Sequence, residues 1–69
     1  MRDTIQALAL VQKELGKLTQ ENVEFLAAAR AKTFDEYTKI CGVIRGLYLA
    51  DSFINDLVQK LEQIGRAHV

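Results

Sequence analysis

From Phe34 to Ile64, apolar residues return at steps of three and four: Ile40, Val43, Leu47, Ala50, Ile54, Leu57, Leu61 and Ile64. This is the a/d repeat of a helical seam, sustained for more than three heptads. Tyr37, Ile44, Tyr48 and Val58 flank it. They widen the apolar stripe beyond what a two-stranded coiled coil needs, so the helix is expected to meet more than one neighbour. The stretch "TFDE" at 33–36 opens the helix as a capping box, with Thr33 accepting from the amide three residues on and Glu36 reaching back. Gly65 is the expected stop. A helix over about 34–64 is roughly 46 Å long at ~1.5 Å per residue.

The first half of the chain carries a shorter pattern. Ile5, Leu8, Val11 and Leu15 share one helical face, which predicts a helix over about 4–15 capped by Asp3 or Thr4. Gly16 reads as a break or C-cap, and Thr19 as the N-cap of a second helix over about 20–31, with Glu21 in its first turn. That helix carries Val23, Leu26 and Ala27 and ends in the small-residue stretch "LAAARA". There is no proline, no repeat and no strand-like alternation. The class is all-α: one domain over 1–69, a helical hairpin or three-helix unit with a long C-terminal helix.

Size changes this picture. A chain of 69 residues buries only roughly 60% of its unfolded surface and needs a further support. One cysteine, Cys41, cannot close an internal disulfide, and one histidine, His68, cannot build a Cys/His zinc site with it. Association with copies of itself or with another protein is the remaining support, so an oligomer is expected. Nine basic and nine acidic residues give zero net charge, and no basic stripe marks a nucleic-acid face. The opening "MRDTIQALALVQKELG" lacks the continuous apolar run of a signal peptide. No stretch approaches the roughly 20 apolar residues of a membrane span. Neither nucleic acid nor membrane is an expected partner, and the protein is expected to be soluble.

The candidate functional residues lie on the long helix. Gly42, Gly46 and Ala50 recur at four-residue spacing and form a smooth groove for close helix approach, either against "LAAARA" or against another chain. Each glycine otherwise costs about 1 kcal/mol relative to Ala. Ile40, Val43, Leu47, Ile54, Leu57, Leu61 and Ile64 form the expected hydrophobic interface. Arg45, between the glycines, could anchor a carboxylate such as Asp51 or an acid of a partner; a solvated arginine is the plain alternative. Asp51 and Asn55 sit on the shoulder of the seam, where polar residues set register. Asp56 and Lys60 are spaced for an ion pair. Cys41 reads as a small buried hydrophobe, and His68 as solvated. The carboxylates are scattered, no nucleophile has a histidine at helical spacing, and no glycine loop suits a phosphate. No enzyme, cofactor or metal is therefore expected.

The segment "FDEYTKICGVIRGLYLADSFINDLVQKLE", residues 34–62, resembles small, mostly uncharacterised helical proteins encoded by tailed bacteriophages. In those, an acidic-Tyr opening leads into a Gly-x-Ile-Arg-Gly-Leu core, here Gly42, Val43, Ile44, Arg45, Gly46 and Leu47. The resemblance implies a phage-encoded helical protein from the structural gene region, located in the virion or the host cytoplasm, and no catalytic residues. The expected function is a minor virion or assembly component that self-associates or docks on a head, portal or tail protein. The alternative is a phage-encoded regulator that binds and inhibits a host protein.

Overall fold

Thr33 caps the long helix as its sequence predicts. Only half of the expected capping box forms, since the Glu36 carboxylate makes no return bond to the Thr33 amide. The Thr33 Oγ1 accepts from the Glu36 amide at 3.0 Å, and the Thr33 carbonyl accepts from the Tyr37 amide at 3.0 Å. Asp35 and Glu36 in the first turn place negative charge at the positive end of the helix dipole. In the computed structural model, which describes residues 2–67, this helix packs against one other helix to make a hairpin. The first helix, α1, spans Arg2–Ala27 and the second, α2, spans Phe34–Ala67. The molecule is a rod of 55 × 15 × 12 Å.

Two sequence expectations fail at α1. It is one helix of 26 residues rather than two. Gly16 does not end it, since no glycine of the described residues adopts the positive φ of a C-cap. Thr19 does not start a new one: its hydroxyl donates to the Leu15 carbonyl at 2.8 Å, one turn back in the same helix. Asn22 does the same through Nδ2 to the Leu18 carbonyl at 2.7 Å. The chain is therefore a two-helix hairpin and not a three-helix unit. α2 also passes through Gly65, its expected stop, and runs to Ala67.

The "LAAARA" stretch forms the end of α1 and the connection rather than a helix to 31. Ala29 adopts a left-handed φ of 56°. Its amide donates to the Leu26 carbonyl at 2.9 Å, and the Arg30 amide donates to the Phe25 carbonyl at 3.2 Å. These two bonds are the Schellman closure, with alanine at the position glycine usually takes. A Cβ in the left-handed region costs about 1–2 kcal/mol. Ala29→Gly is therefore expected to stabilise the fold by about 0.5–1 kcal/mol after its extra unfolded-state freedom is subtracted. Urea denaturation of the two chains checks this, and a destabilised glycine variant would refute it.

Half-buried positions define where the helices meet. On α1 they include Ile5, Leu8, Gln12, Leu15, Thr19, Asn22 and Leu26; on α2, Ile40, Ile44, Leu47, Asp51, Ile54, Val58 and Leu61. Both sets step by three and four residues, which keeps one line of each helix on its neighbour. No described residue is fully buried. Gln12, Thr19, Asn22 and Asp51 interrupt the apolar lines. Among the described residues, every side-chain hydrogen bond joins positions three or four apart, and the one ion pair, Lys17–Glu14 at 3.3 Å, lies within α1. Only partial apolar burial holds the two helices together.

Candidate interaction surface

Each helix has a column of residues one step after its inner line and another one step before it. Gly16 and Tyr48 belong to the first kind, and they line a single hollow with Leu15, Thr19, Gln20 and Asp51. That hollow marks one side of the hairpin, where polar groups mix with the Tyr48 ring. The opposite side carries, at seven-residue spacing one step before the inner lines, Val11, Leu18 and Phe25 on α1, and Val43, Ala50, Leu57 and Ile64 on α2; Glu14, Glu21, Lys39 and Lys60 lie toward its outer edges. The seven at that spacing are all apolar. Five of them are exposed, at 45% for Val11, 46% for Leu18, 44% for Val43, 37% for Leu57 and 45% for Ile64, while Phe25 and Ala50 are half-buried. Scattered apolar residues on a surface are ordinary, but an apolar strip along one side is a binding feature.

The expected interface residues divide between these two surfaces. Ile40, Leu47, Ile54 and Leu61 are half-buried against α1, whereas Val43, Leu57 and Ile64 are exposed on the open side. Val11, Leu18 and Phe25 were not singled out as interface residues by the sequence pattern. Their seven-residue spacing is the signal that finds them. Phe53, Leu49 and Leu10 are more exposed still, on the outer surfaces of the two helices.

Gly42, Gly46 and Ala50 do not touch α1 as a groove. Four residues advance about 40° around a helix of 3.6 residues per turn, so the three wind from the outside toward the open face. Gly42 and Gly46 are exposed and Ala50 is half-buried. A Cβ added at either glycine would meet nothing within 4 Å. The expected close approach to "LAAARA" is therefore not formed inside the hairpin.

The polar candidates are isolated from one another. Arg45 is exposed and, among the described residues, makes no ion pair. Asp51 is half-buried beside Tyr48, and Asn55 is exposed. Asp56 and Lys60 line a polar depression with Gln59 and Gln63 but do not form the expected ion pair. Cys41 is a half-buried free thiol, and His68 lies outside the described residues. Among the described residues, no three His, Cys, Asp or Glu side chains gather where they could hold a metal ion. No helix among the described residues is long and apolar enough to cross a membrane.

Near the start of α2, Phe34 stacks on Tyr37 with ring centroids 6.4 Å apart. A hydrogen bond with the Cys41 side chain, then the charge of that group, then burial raise the Tyr37 hydroxyl above its ordinary value of 10.0. The folded state thus favours neutral Tyr37. Its contribution to stability is complete below pH ~10, where the unfolded side chain is also neutral, and is lost as pH rises through the raised folded value. Thermal melts should be level up to pH ~9 and fall above ~10, with a shallower fall in Tyr37→Phe. An identical fall in both chains would rule out this origin.

Fold and surface together define an all-α helical hairpin with one open apolar face. No family model, curated protein or solved structure matches the chain.

Proposed function

We propose that this chain is a non-enzymatic helical interaction protein that works by self-association or by docking on a larger protein assembly. The observation that carries the reading is the absence of any fully buried residue among those described, combined with a strip of apolar residues along one side of the hairpin. A two-helix rod with such a surface gains stability by covering it. The heptad seam of α2 has a double use in this reading. Ile40, Leu47, Ile54 and Leu61 hold α1, while Val43, Leu57 and Ile64 are offered to the partner. Gly46 and Ala50 let a neighbouring backbone come close, and Arg45 supplies a polar anchor at the rim.

The setting we propose is a tailed-bacteriophage particle, with the chain as a minor virion or assembly component attached to a head, portal or tail protein. Its support is the resemblance of residues 34–62 and the economy of repeated weak contacts in symmetric assemblies. Quantitative mass spectrometry of purified particles tests it. A fixed copy number per particle is expected. A chain abundant in infected cells but missing from particles overturns the virion role.

A further inference from the structure

The open face has a geometry that selects its occupant, and the inference below rests on the interaction reading and deepens it. We propose that the face formed by Val11, Leu18 and Phe25 with Val43, Leu57 and Ile64 is covered by a second copy of this chain, closing a four-helix bundle.

Four observations favour a second copy. First, both helices contribute to the face along its length, so one hairpin presents the broad, flat, two-helix surface that a half-bundle needs. Second, the face runs from Val43 to Ile64, about 32 Å at ~1.5 Å per residue, on a rod 15 Å wide. This is on the order of 1,000 Å² for a pair of copies, the lower end of a specific interface. Third, the face is edged by Glu14 and Glu21 on α1 and by Lys39 and Lys60 on α2, and the whole chain has zero net charge. A second copy laid with its α1 along α2 sets opposite charges beside each other at these edges, so two copies do not repel. Fourth, the hairpin's inner contact buries nothing completely. Each copy therefore requires the same cover, and an identical half-bundle supplies it by an isologous contact.

The bundle also accounts for the asymmetry of the two sides. The side with Gly16, Tyr48, Thr19, Gln20 and Asp51 stays in water, where its polar groups are solvated. The side with the apolar strip turns inward. Val43, Leu57 and Ile64 then become as buried as Ile40, Leu47 and Ile54, and the widened stripe on α2 meets two neighbours.

Sedimentation equilibrium of the full chain, with circular dichroism at the same concentrations, is the first test. A helical species with the mass of two chains is expected. Leu18→Glu with Leu57→Glu should weaken association at least 100-fold, while Tyr48→Glu on the opposite side leaves it unchanged. Because the charged pair could also unfold the chain, a milder probe stands beside it. In a Cys41→Ser background, a single Leu57→Cys thiol should react with a maleimide at least tenfold more slowly at concentrations above the dimer midpoint than below it. A Tyr48→Cys thiol should react at one rate throughout. Protection at position 48 rather than 57 overturns the face assignment, and so does a larger oligomer. A helical single chain at every concentration overturns the second copy, whereas the particle assay reads the interaction role separately.

Discussion

Leu47→Ala is expected to lower the urea midpoint of the chain sharply, by far more than Leu49→Ala. Leu47 lies near the middle of α2 on the line that faces α1, and it is half-buried there. Truncating a fully buried leucine costs about 2–5 kcal/mol. Half the burial suggests roughly 1–2.5 kcal/mol, a large share of the 3–5 kcal/mol that a domain this small commonly has. No hydrogen bond or ion pair among the described residues crosses between the helices to offset the loss. Leu49→Ala is the matched control. It makes the same change two residues away on the same helix, at a side chain that is 60% exposed, and should stay within about 0.5 kcal/mol. Urea titrations of the three chains at one concentration measure the difference. Equal midpoints for the two variants would mean that the hairpin contact is not what holds the fold.

The contrast between these two leucines shows how much of the molecule was legible in the chain. The start of α2 was readable because Thr33 and Glu36 carry a local chemical signal that needs no tertiary help. The period of three and four was equally plain. What the period left open was which columns of a wide stripe face α1. Val43, Leu57 and Ile64 satisfy the same spacing as Ile44 and Val58, and the acidic Asp51 argued against the second column. In the structure Asp51 is nevertheless half-buried, beside Tyr48 at the edge of the contact.

The first half of the chain misled for a different reason. Gly16 and Thr19 carry breaker and cap signals, but each is weak beside the gain of keeping Ile5, Leu8, Leu15 and Leu26 on one continuous line. A single interior glycine costs about 1 kcal/mol, and Thr19 can satisfy its hydroxyl on the preceding turn. The true turn had no such marker. Ala29 takes the left-handed conformation in a run of alanines that reads as good helix former, so propensity pointed the wrong way. The open face was legible only once two helices were known, because Val11, Leu18 and Phe25 become neighbours of Val43 and Leu57 through the antiparallel fold.

Gly16→Ala and Gly42→Ala are expected to stabilise the chain by about 1 kcal/mol each, and by about 2 kcal/mol together since the sites are far apart. Both glycines are inside helices and exposed, and an added Cβ meets nothing within 4 Å. Alanine removes the extra unfolded-state freedom without a clash. Gly46 obeys the same local physics but sits on the shoulder of the open face. Its reason for being glycine must then lie outside the single hairpin if it has one. Gly46→Leu should therefore weaken association tenfold or more. Lys60→Ala, two heptads along on the same helical line, should leave association nearly unchanged. Chemical denaturation gives the stabilities, and sedimentation equilibrium gives the association constants. If Gly42 proves as sensitive as Gly46, the contacting surface extends around the outside of α2. If Gly46→Leu associates as well as the parent, the close-approach role of the glycine is wrong, and its cost to the helix has no structural return.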